Sequence, residues 1–387
     1  MPRQRPPAIR IALCLAALAA GLLPWWNARE MAKSAFPGFE VTAPSAGESG
    51  EPAFFKKTVV NPFSPHKKSH SASLVRMEDG RMFAAWYAGS GECAPDVAVY
   101  LASTDAAGNW QAPRAIFNRE KAMADLGRNV ISVGNALLLA DGNRLGLLFV
   151  TVAAGRWSGS SMNIAWSDDA GMTWSRAQNL TMNPLANLSA LPRNPASPLA
   201  GGGWAVPVYE EFLGKFPEVL WLLPRGGGYD FAVSRVAGGV SVMQAALVPL
   251  SRTDAVCLMR DFRPAQFMSI SSTADAGRTW TPPQATELPN KDSGICGARL
   301  PDGSILAAYN DRSTGKRENL RLAVSGDGGK TWKRVATLEE EPGFEFSYPS
   351  MVCDPDGTVR MLYSARQTQI VYVEFNTAWL KEQEVLQ

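Results

Sequence analysis

Two acids four residues apart, Glu92 and Asp96, share the short segment Gly91-Glu92-Cys93-Ala94-Pro95-Asp96. Two carboxyl groups on one loop is an arrangement in which one acid raises the pKa of its neighbour and keeps it protonated as a general acid. The alternative for Asp96 is structural, fixing the loop by accepting backbone N–H groups. The chain has only two histidines, His66 and His70. His70 is the side chain near these acids in the chain that titrates near neutrality, so it is a candidate base or ligand contact. Two His and five widely separated Cys (Cys14, Cys93, Cys257, Cys296 and Cys353), with no C-x-x-C pair, give no basis for a metal centre, and no cofactor is expected. Arg193-Asn194, Asn290 to Ser293 with Asp292, and Asn310-Asp311 fall on expected loops, where polar side chains are free to meet a ligand or simply water.

Such loops need a scaffold, and the chain advertises one by repetition. Ser325-Gly326-Asp327-Gly328-Gly329-Lys330-Thr331-Trp332 shares the frame [ST]-x-D-x-G-x-T-W with Ser167 to Trp174 and Thr273 to Trp280. A decayed copy runs from Ser103 to Trp110. The frame suits a β-hairpin: the Asp accepts turn N–H groups, the Gly takes a positive φ, and the Trp leaves the turn into an apolar layer. The box aspartates at 105, 169, 275 and 327 are 64, 106 and 52 apart. The middle gap therefore holds two units, and Ser234-Arg235-Val236-Ala237-Gly238 keeps the Ser and Gly of the frame inside it. Tyr348 to Phe375 offers strands for a sixth unit, and Phe54 to Val60 is apolar enough for a strand that closes the ring with it. Asp79-Gly80, Asp141-Gly142 and Asp302-Gly303 each precede an apolar run as hairpin turns do. Units of about 50 residues, each a small antiparallel sheet unable to bury both faces alone, make an all-β six-bladed propeller. Helices are scarce, Thr377 to Leu386 being the best candidate beyond the N-terminus.

The repeated frame is the Asp-box, and from Ser69 to Phe375 the chain resembles the sialidase (neuraminidase) superfamily in its bacterial BNR-repeat branch. The resemblance implies a propeller whose boxes lie away from the pocket, so the boxes speak for fold and not chemistry. It also implies three arginines that hold a sugar carboxylate, an acid/base carboxyl, and a Tyr nucleophile activated by a Glu, an exception to glycosidases with two catalytic carboxylates. Tyr348 in Tyr348-Pro349-Ser350-Met351 matches the nucleophile; a Tyr whose hydroxyl caps a strand is the structural alternative. Arg260, ending Cys257-Leu258-Met259-Arg260, and Arg317, in Gly315-Lys316-Arg317-Glu318-Asn319, match two of the arginines and would suit bidentate capture of a carboxylate. Three positions depart from the pattern. Ser71 or His70 stands where the first Arg belongs, Glu92 where the acid/base Asp belongs, and Gln244 where the activating Glu belongs. By their place on expected loops, Arg193, Asp292 and Asn310 are candidate contacts to sugar hydroxyls.

The 387 residues carry 38 Lys and Arg against 36 Asp and Glu, with no basic cluster beyond Lys67-Lys68, which argues against a nucleic-acid partner. Arg3, Arg5 and Arg10 precede an uncharged apolar run from Ile11 to Trp26, the pattern of an export signal, either cleaved or retained as an inner-membrane anchor. The expected organisation is therefore a leader with an apolar helix over 1–27, a Pro- and Gly-rich linker over 28–53 and the propeller over 54–387. The expected protein is exported, periplasmic or secreted, monomeric, and acts on glycans as a retaining exo-glycosidase of sialidase type. A glycosidase or lyase for another sugar, or a non-catalytic carbohydrate-binding propeller, is the alternative left open by Ser71 and Gln244.

Overall fold

The computed structural model describes residues 51–385 apart from 183–186, 213 and 237–240, together with 37–41 and the helical residues 8–9, 11–16 and 19. The rest of the expected leader, 1–27, lies outside the described residues. Among those described, no helix is long and apolar enough to cross a membrane.

Six antiparallel sheets follow one another along the chain and form the blades of a propeller. In blade one the strands Lys68–Arg76, Met82–Gly89, Ala98–Ser103 and Arg114–Phe117 pair in chain order. Blades two, four and five repeat this plan from inner strands Ser132–Asp141, Val242–Pro249 and Cys296–Arg299. Blade three departs from it, since its inner strand is broken into Leu191–Pro192 and Ser197–Pro198. Blade six takes three strands from the C-terminal region and its outer one, Phe55–Val59, from the start of the body, with Phe55 opposite Phe375 and Val59 opposite Val371. The ring is thus closed by a strand remote in sequence, as the apolar stretch 54–60 predicts.

The apolar core lies in the seams. One cluster joins blades one and two through Phe83, Leu101, Leu145 and Phe149, and the next joins two and three through Leu148, Ile164, Trp204 and Leu220. The series continues around the ring to the seam of blades six and one, where Trp86 packs with Leu362 and Tyr372. Phe39, within the stretch read as linker, is buried in the seam of blades three and four, and its N–H donates to the Arg252 carbonyl at 2.9 Å.

The boxes seal these seams. In the box of blade five, Asp327 Oδ1 accepts from the Thr331 N–H at 2.9 Å and the Ser325 hydroxyl at 2.8 Å, and Oδ2 accepts from the Thr331 hydroxyl at 2.7 Å. The Trp332 indole donates to the Gly329 carbonyl at 3.0 Å, and the boxes at Asp169 and Asp275 repeat this set. The box glycine then meets the preceding blade: a Cβ on Gly329 would lie 2.3 Å from Ile270 Cδ1, and one on Gly171 2.4 Å from Leu101 Cδ2. The copy in blade one has slipped. Ala107 stands where the box glycine belongs, and Gly108, one residue late, has nothing within 4 Å of its would-be Cβ. The Trp110 indole N–H is left without a partner. A lateral cleft of about 720 Å³ accordingly lies in that seam, lined by Trp86, Tyr100, Trp110 and Tyr372 among others.

Two helices flank the sheets. Thr377–Val385 follows the last strand as expected, whereas Arg119–Leu126 was not expected; it is capped by Asn118, whose side chain accepts from the Lys121 N–H, and by Gly127 in the left-handed region.

Candidate active site

Each blade sends a side chain from its inner strand, or from the chain beside that strand, into the same central pocket of about 330 Å³. In four blades the device is a β-bulge. The pairing register of the inner strand slips between His70 and Ser73, Gly134 and Leu137, Met243 and Ala246, and Ser347 and Ser350. At each slip a non-glycine residue has a positive φ: Ser71 at 56°, Asn135 at 31°, Gln244 at 54° and Tyr348 at 54°. A bulge turns one side chain out of the alternation, and such strained backbone concentrates at functional sites. In blade three Arg193 enters from the break in the inner strand, and in blade five Asp292, φ 46°, enters from the loop ahead of it. Ser71, Asn135, Arg193, Gln244, Asp292 and Tyr348 thus form a ring, one per blade. No box residue lines the pocket.

Tyr348, the member of this ring from blade six, is clamped by its neighbours. The Arg193 guanidinium lies 4.9 Å from its ring centroid and that of Arg317 5.2 Å, while His70 packs edge-on at 4.5 Å. Gly294 makes room for the ring, since a Cβ there would stand 2.7 Å from Tyr348 Cδ1. Burial pushes the phenol up, but Arg260, Arg317 and Arg193 outweigh it and hold Tyr348 below the ordinary tyrosine range.

The other cations are partly spoken for. Arg260 donates from Nε to Asp292 Oδ1 at 2.6 Å and from Nη1 to Gln244 Oε1 at 3.1 Å. Arg317 donates to Glu345 Oε1 at 3.3 Å and to the Asp292 carbonyl at 3.0 Å. Gln244 passes the network on, its Nε2 donating to the Tyr209 hydroxyl at 3.3 Å. Its side chain is an amide, which takes no proton.

Glu92 reaches the pocket wall, accepting weakly from the Trp157 indole at 3.4 Å and lying 3.6 Å from Lys68 Nζ. Three residues singled out with it stand elsewhere. Asp96 accepts from the Ser90 N–H at 2.9 Å and the Ser90 hydroxyl at 2.7 Å, so it braces the loop and does not line the pocket. His70 is buried against Tyr348, its Nε2 4.0 Å from Glu92 Oε1, and burial pushes it down to about 4, which leaves it neutral at physiological pH; it does not line the cavity. Asn310 is also buried, its amide held by the carbonyls of Asn319 and Phe346. The sequence reading passed over Glu211, which follows the second strand of blade three and lines the pocket. Burial raises its carboxyl above the usual range, with Lys215 and Arg260 opposing. Nothing in its sequence surroundings marks Glu211, because blade three lacks an intact box from which to count.

The family described as BNR repeat-like domain matches residues 80–361, most of the chain. The chain belongs to the sialidase-like BNR-repeat family. A sialidase of Micromonospora viridifaciens is 26% identical over 242 residues, which are 56% of this chain and 35% of that relative, so the chain spans about a third of the relative's length. Among solved structures, the Hadza microbial sialidase Hz136 superposes with a TM-score of 0.66 at 17% identity, covering 81% of this chain and 66% of its own. The intramolecular trans-sialidase of Ruminococcus gnavus, solved with oseltamivir carboxylate, gives 0.64 at 14% identity over 84% and 98%. At such identities the likeness concerns the fold. Ser71 lines the pocket with a hydroxyl, and blade three contributes Arg193 as the third pocket arginine beside Arg260 and Arg317.

Proposed function

We propose that this propeller is a retaining exo-glycosidase of sialidase type acting on glycans that end in an acidic sugar, with Tyr348 as nucleophile. The observation that carries the reading is the clamped Tyr348 among Arg193, Arg260 and Arg317, a nucleophile within a cationic pocket where an anionic sugar would be drawn in rather than repelled. Arg260 and Arg317 would hold the sugar carboxylate, and Glu92 or Glu211, both at the wall, would protonate the leaving oxygen. Sialidases among the structural neighbours were solved with the inhibitor DANA and as a covalent intermediate with 2,3-difluorosialic acid, which supports testing this sugar class first. A reading with another sugar, or with binding alone, is favoured by Gln244 and by the occupation of Arg260 by Asp292.

Kinetics on an aryl sialoside separate these readings. Tyr348→Phe is expected to lower kcat by orders of magnitude with little change in ligand binding, since only the attacking oxygen is lost. Arg260→Ala is expected to weaken anionic-sugar binding by about 2–5 kcal/mol, the cost of removing a buried charged partner. A binding module would turn over no glycan yet lose affinity in Arg260→Ala. We also propose, from the Arg-flanked apolar run 11–26, that the body acts outside the cytoplasm, in the periplasm or beyond, freed or anchored by that run. A phosphatase active only after export, fused behind Gln387, would be active if this holds and silent otherwise.

A further inference from the structure

We propose that Arg193 is a positioning residue that readies Tyr348 for attack by charge alone, replacing a carboxylate that would take the phenolic proton. The inference rests on Tyr348 being the nucleophile. Arg193 is 3% exposed, and only its Nη2 has a hydrogen bond, to the Pro349 carbonyl at 2.8 Å. Its Nε and Nη1 are buried without a partner. The titratable groups that bear on it most are Cys296, Tyr348, Tyr209 and Tyr87, none of them a carboxylic acid. A buried guanidinium without a counter-ion is costly. The acid that stacks against it, and so is placed to supply the missing negative charge, is the Tyr348 phenol.

The other groups around Tyr348 do not substitute for this. Arg260 and Arg317 lower the phenol more than Arg193 does, but each is paired with a carboxylate, Arg260 with Asp292 and Arg317 with Glu345, whereas Arg193 has none. Glu92 opposes ionisation, His70 is neutral, and Tyr87 and Tyr209 are pushed up by burial. Position 244, an amide already engaged by Arg260 and Tyr209, accepts no proton. The chemistry balances without a protein base. The phenol releases its proton to water before the sugar binds, and the phenolate oxygen bonds to the anomeric carbon. The bond to the leaving oxygen breaks in that same step, as that oxygen takes a proton from a wall carboxyl. Water next displaces the tyrosinate, its hydroxyl going to the sugar and its proton back to the carboxyl.

The test is the ultraviolet difference titration of tyrosinate near 295 nm, wild type minus Tyr348→Phe, which isolates one phenol and needs no substrate. The midpoint is expected clearly below the ordinary value of about 10. Arg193→Met is expected to raise it by about one unit or more, a tenfold smaller phenolate fraction at neutral pH, with Arg193→Lys falling between. The acidic limb of the kcat/KM profile should move with it. A wild-type midpoint at or above about 10 overturns the proposal even if neither Arg193 variant folds, as does a midpoint unmoved in folded Arg193→Met. If the midpoint shifts as expected while Tyr348→Phe keeps full activity, the nucleophile reading falls and the charge relation between Arg193 and Tyr348 stands.

Discussion

Asp292 already occupies the guanidinium that the proposed function assigns to a substrate carboxylate. Its Oδ1 takes both Nε and Nη2 of Arg260, at 2.6 and 2.5 Å, while its side chain is 42% exposed and its backbone is in the left-handed region. An incoming carboxylate must displace this ion pair or share Arg260 with it. Asp292→Asn removes the competing charge and keeps the shape, so KM for an acidic aryl glycoside is expected to fall roughly three- to tenfold with kcat little changed, a half-exposed pair being worth about 1 kcal/mol. Steady-state kinetics at low and high salt check this; an unchanged or higher KM would show that Asp292 itself helps bind the sugar. At this scale the sequence is only partly legible. Tyr348, Arg260 and Arg317 are found because short local patterns surround them. Glu211 and Asn135 are not, nor are the bulges that turn the residues inward, because nothing in Met243-Gln244-Ala245 or Gly134-Asn135-Ala136 announces a non-glycine residue with positive φ. That conformation is imposed by pairing across the sheet.

The box hairpin is the element on which the ring depends, and it is legible because its chemistry is local. Its aspartates are held low, Asp169 to about 2 mainly through the Thr173 hydroxyl and amide, and Asp327 lower still mainly through the Thr331 amide and hydroxyl. A carboxylate depressed in the folded state adds stability above its unfolded pKa and loses it as pH falls through the folded one. Thermal stability is therefore expected to drop between about pH 3.8 and about 2, and Asp169→Asn with Asp327→Asn should flatten that part of the curve. Calorimetry across the window decides it. The box glycine makes a separate demand. Gly329→Ala combines a φ of 91° with a Cβ 2.3 Å from Ile270 Cδ1, so it is expected to cost about 1–3 kcal/mol in denaturant unfolding. The same change at Gly108, with open space beside it, should cost less. The helix at Arg119–Leu126 escapes the sequence reading because its apolar face is weak and its signals are only a cap at each end.

For the whole molecule, the six seams are equivalent in plan but not in finish. The seam of blades six and one is closed by the strand Phe55–Val59, which crosses to pair with Gln369–Asn376, and it is also where the slipped box leaves the lateral cleft. A chain beginning at Val60 lacks that strand, uncovers a strand edge and leaves blade six with three strands. Its melting temperature is expected to fall by about 2–4 °C, as for a loss of one to two kcal/mol in a domain of this size, and it should be more prone to aggregate. Melting and light scattering against the full chain test this, and equal stability would mean that the closing strand is dispensable. Six repeats, their order and the closing strand are all legible, since box spacing and apolar runs carry them. The break in blade three is not, yet that break is what frees Arg193 to reach the pocket.

The central claim is that Tyr348 carries the sugar through a covalent intermediate. Incubation with a 2,3-difluorinated acidic sugar, which slows release of such an intermediate, followed by intact-mass measurement and peptide mapping, tests it most directly. One glycosyl adduct per chain located on Tyr348 is expected, absent in Tyr348→Phe and slower to form in Arg193→Met. An adduct on Glu92 or Glu211, or turnover of the unfluorinated glycoside with no adduct at any time, would contradict it.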